Sequence, residues 1–501
     1  MTTPEQPVTT LIDELLAEQQ SLTAVDRFSR LYAADGVPAQ ETFYRDLIPL
    51  TKPKPGEQYA FEVDLDQCSG CKACVAACHS LNGLDEDETW RSVGLLFSAD
   101  WRAPQQQTIT TACHHCVEPG CLEGCPVLAY DKDPQTGIVR HLDDQCIGCQ
   151  YCVMKCPYEV PQYSAKRGIV RKCDLCTNRL AVGEAPACVQ ACPHEAIRIT
   201  VVDPLENKAG FQRAESARNP FLPGSPDPRI TVPTTRYKSR KPLPDHLLSG
   251  DHARVSPAPA HFPLVFMLVL TQLAAGASVA AVFAPAARLL AFVALGVSTV
   301  ALGIASLHLG KPLKAWRAFL GWRKSWFSRE VIAFAGFVPL TALNAAALWF
   351  MPLAPWQRPI AIAAALAGLL AVACSAMIYA DTRREFWRAS ECFGRFFGTT
   401  LVLGTAATLT LADPASPTLI SLLFVAAVAK LGFEHRITRQ LVDVNTLTLT
   451  PMNKTARLLK DELGLAARLR VACGVIGGAV LPALLAMNHA ASMLTPLALA
   501  L

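Results

Sequence analysis

Sixteen of the nineteen cysteines in this 501-residue chain lie between Cys68 and Cys192, where they form four quartets. The first and third quartets follow the spacing C-x2-C-x2-C-x3-C, the second widens one gap to four residues, and the fourth opens an eleven-residue loop. In chain order the quartets are Cys68, Cys71, Cys74 and Cys78; Cys113, Cys116, Cys121 and Cys125; Cys146, Cys149, Cys152 and Cys156; and Cys173, Cys176, Cys188 and Cys192. With such spacing, three thiolates of one tight loop cap three corners of an iron–sulfur cubane, and the fourth cysteine reaches the neighbouring cluster. The quartets therefore predict four clusters in two interlocked pairs.

Disulfides and zinc sites are the alternative uses of so many cysteines. Disulfide-rich domains are usually small and secreted, and they show no repeated C-x2-C-x2-C-x3-C-P run such as the one that ends at Pro157. Tetrahedral zinc sites use two separated cysteine pairs or mixtures of cysteine and histidine. Only the fourth quartet, two pairs split by a loop, resembles a zinc site when it is taken alone.

Composition divides the protein into four predicted regions. Residues 1–60 are expected to form an N-terminal helical extension, with a soluble amphipathic helix from Leu11 to Ala34, and residues 61–200 hold the quartets. Residues 201–261 contain ten prolines and little apolar periodicity, which predicts an extended strap or linker. Residues 262–501 contain apolar runs of the length that crosses a bilayer, which predicts a membrane domain. The formal charge of +4 is too small to indicate nucleic acid, and Met1 to Gln20 shows no secretory signal.

The membrane domain is predicted to contain seven or eight helices. The candidate spans are 262–283, 288–307, 329–350, 359–380, 396–412, 416–432 and 467–488, of which the fifth and sixth are short. The last apolar stretch, 490–501, is too short to span a bilayer alone.

The loops that connect the spans differ in charge. The loop after the second span is basic and carries Lys311, Lys314, Arg317, Arg323, Lys324 and Arg329. The loops after the fourth and sixth spans are also basic, whereas those after the first, third and fifth carry few charges. The basic loops lie on the same side as the segment before the first span. The positive-inside rule then places the cluster domain on the cytoplasmic face of an inner membrane, a reducing compartment that suits free thiolates.

Three polar residues lie at the basic ends of the spans: His308, Glu330 and Asp381. A histidine and carboxylates there can bind the two carbonyls of a quinone and exchange its protons. The competing interpretation of His308 is an interfacial histidine satisfied by backbone carbonyls. No histidine pair lies inside the spans where it would sandwich a haem, so no haem is expected. The spans hold almost no ionisable residue at mid-depth, which argues against an ion pump.

The motifs resemble a known family. Cys68 to Cys192 resembles the four-cluster ferredoxin subunit of DMSO-reductase-type molybdenum enzymes, and residues 262 to about 432 resemble the membrane anchor of that enzyme. The anchor motifs are Phe262-Pro263-Leu264 with Gln272 and Gly276, Leu307-His308-Leu309-Gly310-Lys311-Pro312 with Arg317-Ala318-Phe319, and Ser328-Arg329-Glu330. The resemblance implies an α+β double ferredoxin-like domain followed by an all-α transmembrane bundle, two subunits joined here in one polypeptide.

The same resemblance implies how the thiols pair around four [4Fe–4S] clusters. The sets are Cys68, Cys71, Cys74 with Cys192; Cys173, Cys176, Cys188 with Cys78; Cys113, Cys116, Cys121 with Cys156; and Cys146, Cys149, Cys152 with Cys125. In the family order the first set faces a catalytic subunit and the last lies beside the membrane. The resemblance also implies a quinol site at His308 and Glu330. No molybdopterin domain fits in this chain, so a separate catalytic partner is expected.

The predicted function is an electron-transfer and anchor subunit between a molybdopterin partner and the quinone pool. The cytoplasmic orientation favours a quinone-linked sulfite dehydrogenase, and the alternative is a reductase of DMSO or related S- or N-oxides that oxidises menaquinol. An ion-translocating redox complex would require mid-membrane carboxylates. A redox sensor would require one labile cluster and an output domain.

Overall fold

The computed structural model describes residues 10–21, 44, 46–98, 102, 104–214, 219–244, 247–251, 254–284, 287–411, 416–439 and 451–488. Within them a β-containing domain that carries the four cysteine quartets precedes seven apolar helices long enough to cross a membrane. This confirms the predicted order of a ferredoxin-like α+β domain and a helical membrane domain. The stretch 490–501, for which an eighth span was left open, lies outside the described residues.

The cluster domain is built from short elements that alternate with the cysteine loops. They follow helix α1 (Leu11–Ser21), and the remainder of the helix predicted to reach Ala34 lies outside the described residues. In chain order they are β1 (Gln58–Asp64), α2 (Ala73–Asn82), β2 (Ser92–Ser98), β3 (Gln106–Thr111), α3 (Gly120–Gly124), β4 (Tyr130–Lys132), β5 (Val139–His141), α4 (Tyr151–Lys155), β6 (Gln162–Ser164), β7 (Ile169–Arg171), α5 (Thr177–Ala181), α6 (Ala187–Gln190) and β8 (Ile197–Val202).

Antiparallel pairing brings distant quartets together. Strands β1 and β8 pair from Gln58↔Val202 to Val63↔Ile197, so the loop that begins at Cys68 and the turn that follows Cys192 lie at the same end of the ladder. The hairpin β4–β5 joins the end of the second quartet to the start of the third. The hairpin β6–β7 does the same for the third and fourth. Chain reversal at each hairpin therefore gives the interlocked order that the spacing predicts.

The segment 201–261 is more structured than the predicted strap. It contains α7 (Pro204–Arg213), β9 (Arg236–Lys238) and β10 (Leu247–Ser249). Strand β9 pairs with β1 in parallel, and β10 pairs with β2 in antiparallel orientation. Thr234 and Thr235 also bond the backbone and ring of buried His114. The ten prolines of this segment and its three-residue strands give little apolar periodicity in the sequence. The segment nevertheless lies against the cluster domain.

The membrane domain begins with four helices that share a core. They are α8 (Phe262–Ala280), α9 (Ala287–Ser306), α10 (Trp326–Phe350) and α11 (Gln357–Ala380), with a 3-10 segment at Pro312–Phe319. Buried Ala274, Phe334, Phe337 and Ala371 form the centre of this core. Further helices are α12 (Ala389–Leu411), α13 (Pro417–Arg439), α14 (Pro451–Lys460), α15 (Gly464–Val475) and, after a π turn, α16 (Leu481–Asn488).

The fifth and sixth spans are longer than predicted. Helices α12 and α13 each have 23 residues because they continue beyond the apolar run into polar turns at the basic end. Glu391 is buried there, and Arg395 of α12 pairs with Glu434 of α13 at 3.7 Å. The paired charges explain why a window of apolar residues alone ended these spans too early.

Candidate electron-transfer and quinone site

Each cysteine loop turns inward by the same backbone device. The residue before the second cysteine has a positive φ in all four quartets, at Gly70 (76°), His115 (40°), Gly148 (70°) and Leu175 (60°). Left-handed residues turn successive groups toward one concavity, where glycine is tolerated most easily. The amides of Gly148 and Leu175 also donate to the thiols of Cys146 and Cys173 at 3.4 and 3.5 Å. The loops are therefore shaped to present sulfur atoms to an enclosed space.

Two of the four expected thiol sets line cavities of their own. One cavity is lined by Cys68, Cys71, Cys74 and Cys192. A second is lined by Cys113, Cys116, Cys121 and Cys156. In each case three thiols come from one quartet and the fourth comes from another, as the resemblance to the family implies.

The other two sets are grouped by mutual electrostatics. Burial raises the pKa of the Cys78 thiol to about 12, and nearby Cys188 adds to the rise. Burial raises the pKa of Cys125 to about 11, and Cys146 of the third quartet adds to the rise. Cys78 thus lies among the thiols of the fourth quartet and Cys125 among those of the third.

The thiols surround space instead of converging on a point. In the part of the sequence that the structure describes, no three His, Cys, Asp or Glu side chains meet as a single metal ion requires. Cavities walled by four thiols fit a multi-iron cluster, whose iron atoms hold thiolates apart. Amides of Ala129 and Ala196, each four residues after the last cysteine of a quartet, donate to Cys125 and Cys192 at 3.2 and 3.3 Å.

The third quartet lies against the membrane domain through a contact of glycines. A Cβ atom on Gly310 would lie 2.1 Å from the carbonyl oxygen of Gly168, and one on Gly148 would lie 3.0 Å from the Cα atom of Gly310. Next to this contact, the amide of Lys311 donates to the carbonyl of Ile147 at 3.1 Å. Only residues without a side chain allow the loop of Cys146 and Cys149 to approach the loop after α9 so closely.

Polar contacts extend this interface on both sides. Lys314 and Arg317 of the basic loop donate to the carbonyl of Asp144 at 3.0 and 2.8 Å. The amide of Gly321 donates to the carbonyl of Pro126 at 2.8 Å, and the hydroxyl of Ser325 donates to that of Gly124 at 2.7 Å. The cluster domain therefore lies at the basic end of the helices.

His308 follows α9 beside this interface. Its Nδ1 bonds the carbonyl oxygen of Ala305, and because a carbonyl only accepts, Nδ1 carries the proton. Its Nε2 is buried and has no hydrogen-bond partner among the described residues. Burial lowers the pKa of His308, and the bond to Ala305 opposes the shift only in part. The imidazole therefore presents a free acceptor nitrogen, which differs from the interpretation in which backbone carbonyls satisfy the ring.

Glu330 lies on the same helix as Phe327, an aromatic residue next to His308. The ring of Phe327 is 6.5 Å from that of His308 and 6.1 Å from that of Tyr151. Glu330 follows Phe327 by three residues on α10, so the two side chains share a helix face. Glu330 is 4% exposed, and its carboxylate accepts a hydrogen bond from Ser375 of α11.

Asp381 is held by the cluster domain. Lys155, which immediately precedes Cys156, donates to its carboxylate at 2.6 Å and to its carbonyl at 2.8 Å. Tyr151 donates to the carbonyl of Ile378 at 3.0 Å. Burial raises the pKa of Tyr151, and Asp381, Glu330 and Cys149 add to the rise. Tyr151 therefore lies within electrostatic reach of a cysteine of the third quartet and of both predicted carboxylates.

Sequence reasoning did not single out Tyr151, Lys155, Phe327 or Gly168, and it named Gly310 only as part of the anchor motif. Tyr151 and Lys155 contact residues more than 220 positions away, and no local pattern reports such a contact. The available signals were Gly310 in the anchor motif and the glycine that precedes the second cysteine of the third quartet, and neither indicates its partner.

The sequence matches two family models. One, described as "4Fe-4S dicluster domain", matches residues 105–202. The other, described as "DMSO reductase anchor subunit (DmsC)", matches residues 259–458, so the anchor resemblance extends further than the predicted limit near residue 432.

Known relatives cover the cluster domain. The B subunit of the anaerobic dimethyl sulfoxide reductase of Haemophilus influenzae is 34% identical over 190 residues, 36% of this chain and 91% of that protein. The B subunit of the same enzyme from Escherichia coli K12 is 36% identical over 161 residues, 30% of this chain and 78% of that protein. The formate dehydrogenase-O iron-sulfur subunit of E. coli K12 is 32% identical over 176 residues, 32% of this chain and 58% of that protein.

A cysteine-quartet domain on one end of an apolar helical bundle defines a membrane-anchored iron–sulfur electron-transfer protein. The close glycine contacts and the shared hydrophobic cluster of both domains make it one assembly. The protein belongs to the family of dimethyl sulfoxide reductase B subunits, and in the same chain this part is fused to an anchor of the DmsC family. The predicted fusion of two subunits is thereby confirmed.

Proposed function

We propose that this chain carries electrons between a molybdopterin catalytic subunit and the quinone pool through four [4Fe–4S] clusters. The clusters would be held by the four thiol sets given above, each with one cysteine from another quartet. When bound, such clusters accept and release single electrons with little movement of the protein. The observation that carries the proposal is the glycine contact that brings the loop of the third quartet against the loop of His308.

The protein's own residues would bind the quinone and exchange its protons. The free Nε2 of His308 would accept a hydrogen bond from a quinol hydroxyl and take its proton. Glu330, a turn deeper on the face of Phe327, would bind the second polar end or pass the proton on. Because the Asp381 carboxylate already binds Lys155, we assign Asp381 first to docking of the cluster domain. Its contact with a quinone remains a prediction.

Substrate chemistry would belong to a separate partner. The thiol set of Cys68, Cys71, Cys74 and Cys192 includes exposed Cys71, and Cys74 packs in a hydrophobic cluster other than the one that the membrane domain shares. That exposure suits a face covered by a catalytic subunit. Relatives named as subunits of dimethyl sulfoxide reductase and formate dehydrogenase support a molybdenum-type partner.

We favour sulfite oxidation on the cytoplasmic face as the specific reaction. The support is the charge of the loops, because the cluster domain lies on the end with Lys314 and Arg317, which the positive-inside rule assigns to the cytoplasm. The second candidate is reduction of DMSO or another S- or N-oxide by menaquinol, favoured by the names of the relatives. Orientation is tested by protease digestion, which should cut the cluster domain in inside-out vesicles and spare it in right-side-out vesicles.

The deciding experiment is purification with the native partner, followed by quinone reduction with sulfite and, separately, quinol oxidation with DMSO. Sulfite-dependent quinone reduction supports the favoured reaction, and DMSO-dependent quinol oxidation supports the second. His308→Ala should abolish either quinone reaction. Ser306→Ala, which removes a hydroxyl bonded to the carbonyl of Gly303, is the matched control. Full quinone turnover by a cluster-loaded His308→Ala protein would refute the site.

A further inference from the structure

Arg91 is a buried cation that has no role in the function proposed above. It precedes β2, is 2% exposed, and belongs to the largest fully buried side chains of the described residues. One nitrogen, Nη1, donates to the hydroxyl of Thr110 at 3.2 Å, and the guanidinium lies 4.4 Å from the centre of the Phe61 ring. The Thr110 hydroxyl is in turn 3.6 Å from the thiol of Cys74.

Other buried cations of the domain have protein partners that Arg91 lacks. Arg171 pairs with Glu88 at 2.7 Å, and Arg179 pairs with Glu184 at 2.9 Å. Lys172 donates to two backbone carbonyls and to the thiol of Cys113. Among the described residues, by contrast, Nε and Nη2 of Arg91 have no hydrogen-bond partner, and no carboxylate pairs with the guanidinium.

An isolated buried guanidinium is energetically untenable, because a charge removed from water needs an opposite charge and acceptors. The groups around Arg91 identify that opposite charge. Phe61, whose ring the guanidinium covers, packs in one buried cluster with Cys74, Cys173 and Cys188. These cysteines belong to two different proposed cluster sets.

We propose that Arg91 is a positioning residue that neutralises the first pair of clusters, those of the Cys68 and Cys173 thiol sets, and raises their reduction potentials. The inference rests on the proposed ligand sets. Cysteine-bound clusters carry net negative charge, which becomes more negative on reduction, so a fixed cation between two of them favours the reduced state. The two unpartnered N–H groups supply donors to cluster or cysteine sulfur, a recognised influence on cluster potential.

The test is an EPR-monitored redox titration of the holoprotein. Arg91→Gln should lower the reduction potential of one cluster of the first pair by ~59 mV or more. For a one-electron couple, this shift is a change of about tenfold in the reduction equilibrium. Arg91→Lys keeps the charge and should restore most of the potential. Arg140→Gln, which removes an arginine that is 41% exposed and paired with Asp131, is the control and should change nothing. Unchanged potentials in cluster-loaded Arg91→Gln protein overturn the proposal.

A measurement on the wild-type protein covers the case in which Arg91→Gln fails to fold. Pulsed EPR of reduced protein labelled with ¹⁵N in arginine side chains should show a guanidinium coupling to a cluster, and Arg91→Lys should lose it. A missing coupling in wild type overturns the role of Arg91. Failure of the cluster assignment is distinguishable, because the iron content and the number of EPR signals of wild-type protein would then differ from those of four [4Fe–4S] clusters.

Discussion

Substitution of Gly310 should separate the cluster domain from the membrane loop while both remain folded. A Cβ atom at this position would lie 2.1, 2.6 and 2.9 Å from three backbone atoms of Gly168. Ordinary van der Waals contact begins at 3.4 Å, so the two backbones must move apart by more than 1 Å. Because no flexible side chain is available to yield, the movement must stretch the Lys311 to Ile147 hydrogen bond, which is now 3.1 Å long.

This displacement has an energetic cost. Overpacking a close contact by one methyl typically costs about 1–3 kcal/mol. If that cost falls on docking, the equilibrium constant for docking falls by roughly 5–150-fold. The same displacement moves the loop of Cys146 and Cys149 away from His308, so electron transfer to quinone should slow by up to this factor when docking limits the rate.

The assay compares two oxidants of the dithionite-reduced protein. Gly310→Ala should slow reoxidation by quinone and leave reoxidation by ferricyanide, which reaches the clusters from water, unchanged. Gly303→Ala is the matched control, because Gly303 lies in α9 and a Cβ there meets no described atom within 4 Å. Equal quinone rates for the two variants would refute the role assigned to the glycine contact.

The same interface and bundle support three further tests. Lys155→Met leaves the partly buried Asp381 carboxylate without its cation and should lower the free energy of unfolding by about 1.5–3 kcal/mol. Thermal or denaturant melting measures this loss, and Lys166→Met, at a lysine that is 84% exposed, is the control. The rate of quinol oxidation should fall only when the pH drops below the ordinary histidine range, because burial lowers the pKa of His308 and keeps Nε2 neutral to more acid pH. His308→Gln should abolish this pH dependence, and an unchanged pH profile in that variant would contradict the role of His308. Gly276→Ala, whose Cβ would lie 2.4 Å from the carbonyl of Thr400, should lower thermal stability, whereas Gly296→Ala, with nothing within 4 Å, should not.

The features that could be predicted from the sequence are those that depend on the spacing of nearby residues. The cysteine quartets and apolar runs indicated the order of domains and seven or eight spans, because turns and bilayer thickness act over a few residues to about twenty. The position of His308 at the end of a span followed from the same pattern. Its free Nε2 did not, since that depends on which nitrogen bonds Ala305.

The remaining features depend on contacts between distant segments. Lys155 lies in a short helix of ordinary composition, and its pairing with Asp381 arises only when the third quartet meets the end of α11. The segment 201–261 shows the same limit, because strands of three residues such as β9 carry too few side chains to reveal a period of two. Arg91 has no motif, and its importance becomes visible only when its burial is known.

Reoxidation of reduced Cys125→Ser protein by quinone tests most directly whether electrons leave through the proposed last cluster. The variant removes the cysteine that lies among the thiols of the third quartet and should lose the iron of one cluster. We expect its remaining clusters to be reoxidised by ferricyanide as in wild type but no longer by quinone. Reoxidation by quinone at the wild-type rate would contradict an exit through this cluster.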